Sequence, residues 1–492
     1  MIAVHFSRSR TTRAAHVAVV LLAVALCSPA VASATTWKVS QGGSVADAFR
    51  AAAPGDVIEL QAGSYAEQTV PVVNGRGGPA VEIRPAAGAS VSFAGLDIAG
   101  SYVTVRGIRT GSVVIDAGST VVQSATVVGG EGRKLFINNA RNVTIRGGSY
   151  GGVTNAPPVQ IGSSPSSQHI TFDGVDFHDA VATDPDAHLE CVWAGDVQYL
   201  TVRNSIFRNC AYFGLFITHL YGTQPSNVLI ENNVFERTFQ SNGQKAPYAL
   251  MVANWLSKME NFTFRNNTFE TEVALQPETA QNVRMVGNIG VAASCHDGVQ
   301  YSHNVWTSRQ CGATDRRAAG ALSQFVNRAT HDWRLIAGAA AIDAGDPADA
   351  PATDREGLGR AGRPDAGAHE FGGTRSGGGA TPPPGGETRT RLLTGARLVR
   401  GYVCAVSRRR CRRTKVKVRV RLARAARITV RLRRPRSGRI VRTVRVRGHK
   451  GLNVIRVRSK RFRRGQRYRV TVVARDATGR RSLVRRMRLR VR

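Results

Sequence analysis

One phrase recurs between Asn142 and Trp306, as NVTIRGGSY (142–150), HITFDGVDF (169–177), YLTVRNSIF (199–207), NVLIENNVF (227–235), NFTFRNNTF (261–269) and VQYSHNVW (299–306). Weaker copies begin at Tyr102 and Asn282. The copies start roughly 20 to 35 residues apart, a period that is typical of solenoids. One such unit cannot bury its apolar side alone, so the repeat predicts a stack of coils with a continuous core.

Each phrase predicts a short strand, a bend and an inward aromatic side chain. Val143 and Ile145 alternate with Thr144, so the first two point to one face and Thr144 to the other. The bend position holds residues that tolerate positive φ: Gly147, Gly174, Asn204, Asn232 and Asn266. Each phrase ends with an aromatic residue whose ring we expect to turn inward and stack on its neighbours: Tyr150, Phe177, Phe207, Phe235, Phe269 and Trp306.

This repeat resembles that of the right-handed parallel β-helix proteins of the pectin-lyase-like superfamily. The resemblance covers about residues 35–371 and implies a right-handed solenoid there, for which we predict about ten coils over residues 37–371. Together with the small antiparallel β-sandwich that residues 389–492 themselves predict, the expected fold class is all-β. The resemblance does not imply one activity, because a fold does not fix a function. The phrases that mark polygalacturonase-like hydrolases and pectate lyases are absent from this sequence.

The chain begins with the pattern of a secretory signal peptide, expected over residues 1–34. Arg8, Arg10 and Arg13 precede an apolar run from Val17 to Leu26, and Ala32-Ser33-Ala34 has the form of a cleavage site. The run is too short to span a bilayer, and Leu26 before Cys27 does not favour lipidation. We therefore expect a secreted protein, extracellular or associated with the cell surface and monomeric.

Six cysteines follow the signal peptide, in three pairs that are close in sequence. Export favours disulfides, which we expect at Cys191–Cys210, Cys295–Cys311 and Cys404–Cys411. The alternative, a metal–thiolate site, lacks a C-x-x-C pair or histidines at zinc-finger spacing.

Both ends of the expected solenoid carry distinct segments. Ser44 can cap a short helix bearing Val45 and Phe49, which would cover the first coil. Residues 323–371, with Asp354, Asp365 and further aspartates, resemble a C-terminal segment common in secreted β-helix proteins. These aspartates suggest either a metal site or Asx-turns within a cap, and the cap is the preferred interpretation.

A Gly- and Pro-rich linker, residues 372–388, separates the solenoid from a strongly basic domain, residues 389–492. We call this last part the basic domain. It contains 40 Lys and Arg residues and one acid, Asp476, so the net charge of +36 lies almost wholly there. Apolar and basic residues alternate in it, as in VKVRVRL and YRVTVVAR, which predicts strands with one buried and one exposed face. The pattern Tyr468-x-Val470-x-Val472-x-Ala474-x-Asp476 resembles the late strands of an immunoglobulin- or fibronectin-like sandwich. Such charge favours an anionic cell-wall polymer or another polyanion; the alternative is a solubilised spacer. Nucleic acid is not expected, because no stacking aromatics interrupt the basic strands.

The residues that could carry chemistry cluster in the longer connections of the middle coils. Two chemistries are compatible with them: glycoside hydrolysis by a carboxylate pair, and elimination from a uronate, with Ca²⁺ held by carboxylates and a base nearby. The candidate catalytic residues are Asp184, Asp186, His188, Glu190, His219 and Lys245, and Trp193 and His178 are candidate substrate contacts. For His188 and Glu190 a surface pair beside a disulfide remains the alternative, and for Trp193 packing.

The sequence thus leaves two functions open. The chain is either a β-helix that binds or degrades an extracellular polysaccharide, as a lyase or glycosidase if it is an enzyme, or a non-catalytic surface or adhesion scaffold. In the second case the basic domain would hold the scaffold on anionic polymers.

Overall fold

The structure is a computed structural model. It describes residues 34–162, 166–184, 189–219, 221–236, 248–318, 320–360 and 362–374. Of the basic domain it describes residues 393–398, 402–403, 415–422, 425–434, 440–458, 466–475 and 485–491. The expected signal peptide lies outside these ranges, apart from Ala34.

Between Thr36 and Arg317 the described residues wind into a right-handed parallel β-helix with three ladders of strands. The first ladder is a 13-stranded parallel sheet. Its strands are Thr36–Val39, Val57–Leu60, Val81–Pro85, Val103–Arg106, Val122–Gln123, Ala125–Val128, Ala140–Arg146, Gln168–Asp173, Gln198–Arg203, Ser226–Glu231, Lys258–Arg265, Thr279–Val286 and Val299–Ser302.

The other two ladders close each coil, and two long strands, Arg109–Ile115 and Glu131–Ile137, belong to both. The remaining strands of the second ladder are Gly63–Tyr65, Val91–Phe93, Ser149–Thr154, Asp176–Val181, Ile206–Cys210, Val234–Phe235, Thr268–Phe269, Ile289–Gly290, Val305–Trp306 and Arg316–Arg317. The remaining strands of the third ladder are Gln68–Val70, Leu96–Ile98, Val159–Ile161, Glu190–Gly195, Phe213–Thr218, Tyr248–Val252 and Glu272–Leu275.

The core follows the predicted alternation. Val143 and Ile145 are fully buried, while Thr144 faces outward. The closing aromatics turn inward and stack from coil to coil. The ring centroids of Phe177 and Phe207 are 4.7 Å apart, those of Phe207 and Phe235 are 4.3 Å apart, and those of Phe235 and Phe269 are 5.0 Å apart. A row of buried rings therefore runs along the axis of the solenoid, as the sequence predicts.

The predicted bends are confirmed, and a second asparagine row lies beside them. The five aligned bend residues have φ between 50° and 71°. The asparagine after the bend points inward, and four of these residues are buried: Asn233, Asn267, Asn288 and Asn304. The side-chain oxygen of each accepts a hydrogen bond from the backbone amide of the equivalent residue in the preceding coil. For Asn233 that residue is Ser205. The buried row ends on Asp315, which accepts from the backbone amide of Asn304 at 3.0 Å. This inner row satisfies backbone groups that the bends leave without ladder partners.

A helix, Val45–Ala51, covers the first coil as predicted. The side chain of Ser44 accepts a hydrogen bond from the backbone amide of Asp47 at 3.1 Å. Val45 and Phe49 are buried against the solenoid. The helix thereby shields apolar side chains that the first coil would otherwise leave exposed.

The segment from residue 320 to 374 lies along the side of the solenoid, whereas the sequence led us to expect it at an end. It includes two 3₁₀ turns, Ala321–Ser323 and Arg328–Thr330, and a hairpin of Phe325–Asn327 with Asp332–Leu335. We call this segment the flank segment. It covers outward apolar residues of the second ladder, among them Ile206 and Val234.

The aspartates of the flank segment hold its turns. Asp354 accepts backbone amides of Glu356 and Leu358, both at 2.8 Å, and Asp365 accepts that of Asp343 at 2.9 Å. The bond of Asp354 to the amide of Glu356 is an Asx-turn, as the sequence predicts, whereas the bond of Asp365 joins two distant parts of the segment. Among the described residues, no group of three or more His, Cys, Asp or Glu side chains could hold a metal ion.

The basic domain forms two sheets around a core of its own. A three-stranded antiparallel sheet contains Leu393–Leu398, Lys415–Leu422 and Gly451–Arg458. A five-stranded sheet, in which only one pairing is parallel, has the order Tyr402–Val403, Arg485–Val491, Arg467–Arg475, Ala426–Arg433 and Ile440–Gly448. Side chains such as Val418 and Val430 are fully buried between the sheets. The small antiparallel sheets expected here are thus present.

Two of the three expected disulfides are formed, Cys191–Cys210 and Cys295–Cys311. Cys404 and Cys411 lie outside the described residues. In the described part of the chain, no helix is both long and apolar enough for a membrane span.

Candidate functional site

The outer face of the third ladder carries a stripe of large apolar side chains. In register across four coils lie Gln160 and three large apolar side chains: Trp193 and Met251, which are half-buried, and Phe216, which is 5% exposed. Since neighbouring coils are about 4.8 Å apart, this row is roughly 14 Å long. The residues flanking Trp193 and Phe216 in their strands point into the core, so the row faces outward. We call this row, together with Trp255, Tyr221 and His219, the third-ladder site.

Trp255 extends the stripe at its edge and is 54% exposed. Its ring meets that of Phe216 edge-on, with centroids 5.7 Å apart. The indole nitrogen donates to Thr218 Oγ1 at 2.7 Å. Leu256, fully buried, fixes the loop from the other side. The exposed indole is therefore held in place by a hydrogen bond, a ring contact and a buried neighbour.

A second loop brings Tyr221 and His219 to the same end of the ladder. Asp196, which is fully buried, accepts the backbone amides of Tyr221 and Thr223, each at 3.0 Å. Tyr221 is 65% exposed. His219 Nε2 lies 3.4 Å from the carbonyl oxygen of Trp255, and its buried Nδ1 has no partner among the described residues. The third-ladder site thus combines exposed rings with one imidazole.

The predicted catalytic residues do not all meet at this site. Glu190 starts a third-ladder strand, where it is 3% exposed and pairs in register with Phe213. His219 follows Thr218 at the opposite end of the next strand. From Phe213 to His219 there are six residue steps of extended chain, so roughly 20 Å separate the two positions. Asp184 lies in a bend, and its own backbone amide donates to Asn155 Oδ1 at 3.4 Å. Asp186, His188 and Lys245 lie outside the described residues.

The two predicted substrate contacts lie on different ladders. Trp193 is half-buried on the third ladder, and its indole nitrogen has no partner among the described residues. His178 belongs to the second ladder, where its Nδ1 is 2.9 Å from Asp179 Oδ2. Burial alone raises the pKa of Asp179, but hydrogen bonds from Asn209 and His178 outweigh it, so that pKa lies below its ordinary value. His178 is therefore paired with an ionised carboxylate on the second ladder, whereas Trp193 belongs to the apolar stripe on the third.

Sequence reasoning missed Phe216, Met251, Tyr221 and Trp255. The available signal is weak: FGLFIT and YALMV each place a large apolar residue between core residues. Their alignment with Trp193 becomes visible only through the strand register.

Comparison with known proteins supports the fold of these coils. No curated protein matches the chain. The family model described as a right handed beta helix region matches residues 90–269. The match covers every strand of the stripe, so over those residues the chain is similar to right-handed β-helix proteins.

Proposed function

We propose that this protein binds an extracellular polysaccharide along the third-ladder site. The single observation that supports this best is the exposed Trp255 ring, which is fixed against Phe216, the residue in register with Trp193. Flat apolar rings with a polar edge favour the faces of sugar rings, which are apolar between their hydroxyl groups. The exposed Trp255 and the half-buried Trp193 on a nearby coil offer two such surfaces, which suits a polymer whose units repeat along its length.

The surroundings of the stripe also support a binding face. In the chain, the strands of the third ladder are preceded or followed by the longer connections of the middle coils, at residues 182–189, 219–225 and 236–247. In solenoids, per-coil insertions tend to gather on the face that binds. Large exposed apolar side chains rimmed by polar loops likewise mark interaction sites. Disulfides at Cys191–Cys210 and Cys295–Cys311 fit the extracellular location that the proposal requires.

The test uses the full-length protein and a panel of polyuronates and neutral glycans, each with and without Ca²⁺. Binding is measured at high salt, which suppresses charge-driven attachment and leaves ring stacking nearly unchanged. We expect Trp255→Ala to lose about tenfold or more in affinity, equivalent to about 1.4 kcal/mol. Tyr199→Asn is the matched control, because Tyr199 is 46% exposed on the first ladder and Asn tolerates its positive φ.

Products of the same incubations decide between binding and chemistry. Unsaturated ends would add lyase activity, and new reducing ends without unsaturation would add hydrolase activity. Binding without any product would indicate a non-catalytic glycan-binding protein. Failure of every glycan to bind, or equal binding by wild type and Trp255→Ala, would refute the third-ladder site.

A further inference from the structure

The five-stranded sheet of the basic domain places arginine directly beside arginine. In register across three strands lie Arg447, Arg427 and Arg475, and all three side chains are exposed. We call them the arginine row. Arg445 and Arg469 add further exposed cations to the same three strands. The alternating strand pattern fixes these side chains opposite the core, because Ile428, Val430 and their neighbours fill the inner face.

This arrangement is unfavourable unless anions are present. Directly opposed residues on paired strands have Cβ atoms about 4.5–5.5 Å apart, and like charges in that position repel. The domain has 40 basic residues and Asp476 as its one acid, so its own carboxylates cannot neutralise the face. The positions themselves do not require arginine for packing, since the side chains are exposed. The repulsion among the arginines of the row is explained if a ligand of opposite charge binds there.

We propose that the arginine row binds a linear acidic polysaccharide, with its carboxylate or sulfate groups crossing the strands. Paired strands lie about 4.7–4.9 Å apart, so the row offers one guanidinium for each step of a densely charged polymer. A guanidinium group binds a carboxylate or another oxyanion through two parallel hydrogen bonds, which a lysine ammonium cannot form. The polymer would run across the strands from Arg447 to Arg475.

Two other polyanions fit the face less well. Single-stranded nucleic acid is held by aromatic rings between basic groups. In the strands of the arginine row the aromatic residue is Tyr468, and it is 1% exposed on the inner face. An anionic membrane would favour apolar side chains beside the cations. On the five-stranded sheet, the outward-facing positions between Arg427 and Arg431 and between Arg469 and Arg475 hold the polar Thr429 and Thr471 and one apolar residue, Val473. All three are half-buried, so no large exposed apolar side chain lies at these positions.

The experiment compares three full-length proteins: wild type, an arginine-row variant and a charge-matched control. The row variant carries Arg427→Gln, Arg447→Gln and Arg475→Gln. The control carries Arg109→Gln, Arg133→Gln and Arg317→Gln, three exposed arginines of the β-helix, so both variants lose the same net charge. Binding to immobilised polygalacturonate and dextran sulfate is measured across a salt series, with neutral dextran as the blank. Duplex DNA and vesicles containing anionic lipid are measured in parallel.

We expect wild type and control to bind both acidic polysaccharides with the same salt dependence. In the row variant, the slope of log affinity against log salt should shrink by about one for each arginine removed. Its thermal midpoint should not fall, because removing opposed like charges does not disturb the core. Equal weakening in both variants would show that net charge and not the row is responsible, and would overturn the proposal. Tighter binding to DNA or vesicles than to either acidic polysaccharide would overturn it as well.

Discussion

Asn267 Nδ2 donates to Asn288 Oδ1 at 3.0 Å, and the same oxygen accepts the backbone amide of Asn267 at 2.9 Å. Asn267 Nδ2 also donates to the carbonyl of Ile230 at 2.8 Å. The fully buried side chain of Asn267 therefore satisfies a backbone carbonyl of the preceding coil and bonds to the side chain of the next asparagine in the row. Because this pattern repeats from Asn233 to Asn304, the row holds the coils together as a polar counterpart of the aromatic stack.

Asn267→Ala should destabilise the β-helix strongly. It removes the acceptor for the backbone amide of Asn233 and the donor for the carbonyl of Ile230. Each buried group left unsatisfied costs about 1–3 kcal/mol, so the free energy of unfolding should fall by about 2–5 kcal/mol. Asn261→Gly is the control: it removes an exposed asparagine whose side chain bonds only to other asparagines, and should cost less than about 1 kcal/mol. Chemical denaturation followed by circular dichroism measures both, and equal midpoints would contradict the role of the inner row.

Loss of the Cys191–Cys210 disulfide should also lower stability. The cysteines are 19 residues apart and both are fully buried. Closing a loop of this length contributes about 3 kcal/mol on the chain-entropy account. Peptide mapping of the non-reduced protein should find this link, Cys295–Cys311 and the expected Cys404–Cys411. Free thiols at these positions, or a double Cys→Ala variant as stable as wild type, would contradict the expectation.

His369 should make the β-helix lose stability in mild acid. Burial, joined by the charges of Arg355, Arg360 and Arg334, lowers the pKa of His369 from 6.5 to about 3. Between those values the unfolded chain binds a proton that the folded chain does not, so stability falls as the pH falls below 6.5. At about 1.4 kcal/mol per pH unit, the loss by pH 5 is roughly 2 kcal/mol.

The contribution of His369 is isolated by comparing variants. Burial raises the pKa values of Asp365 and Glu370, which favours the folded state in acid and opposes the histidine effect. Denaturation of wild type and His369→Gln is therefore measured at several pH values from 5 to 7. The variant should lose less stability on acidification than wild type, whereas His449→Gln, at an exposed position of the basic domain, should behave as wild type. Parallel curves for wild type and His369→Gln would be inconsistent with a buried neutral imidazole.

Gly151→Ala should disrupt the second ladder. A Cβ at this position would lie 1.7 Å from the carbonyl oxygen of His178, which belongs to the backbone of the next coil and cannot move aside. Overpacking of this kind costs about 1–3 kcal/mol or more. At Gly77 an added Cβ meets nothing within 4 Å, so Gly77→Ala should be neutral. Secreted yield and thermal midpoint measure the difference between the two variants.

The sequence predicts the β-helix well because the phrase keeps a constant length from strand to bend to ring. Asn204 and Phe207, or Asn232 and Phe235, are always three residues apart, so both the bend and the aromatic stack could be placed. The connection to the third ladder varies instead. Eight residues separate Val181 from Glu190, and two separate Cys210 from Phe213. The register that aligns Trp193 with Phe216 could therefore not be derived from spacing.

Two other features depend on tertiary contacts that no local pattern encodes. The paired asparagines 232–233 and 266–267 are both compatible with bend geometry in the sequence, and only the fold turns the second of each pair inward. Similarly, Asp354 and Asp365 could be assigned to turns, but the position of the flank segment depends on apolar residues of distant coils, such as Ile206 and Val234.

The most direct test of the proposed function is oxidative footprinting of the full-length protein with and without the panel glycan that it binds most tightly. Trp255 and Tyr199 are similarly exposed, at 54% and 46%, but lie on different ladders. We expect the bound glycan to protect Trp255 and Tyr221 from oxidation and to leave Tyr199 unchanged. Protection of Tyr199 without protection of Trp255, or no protection of either residue at saturating glycan, would contradict polysaccharide binding at the third-ladder site.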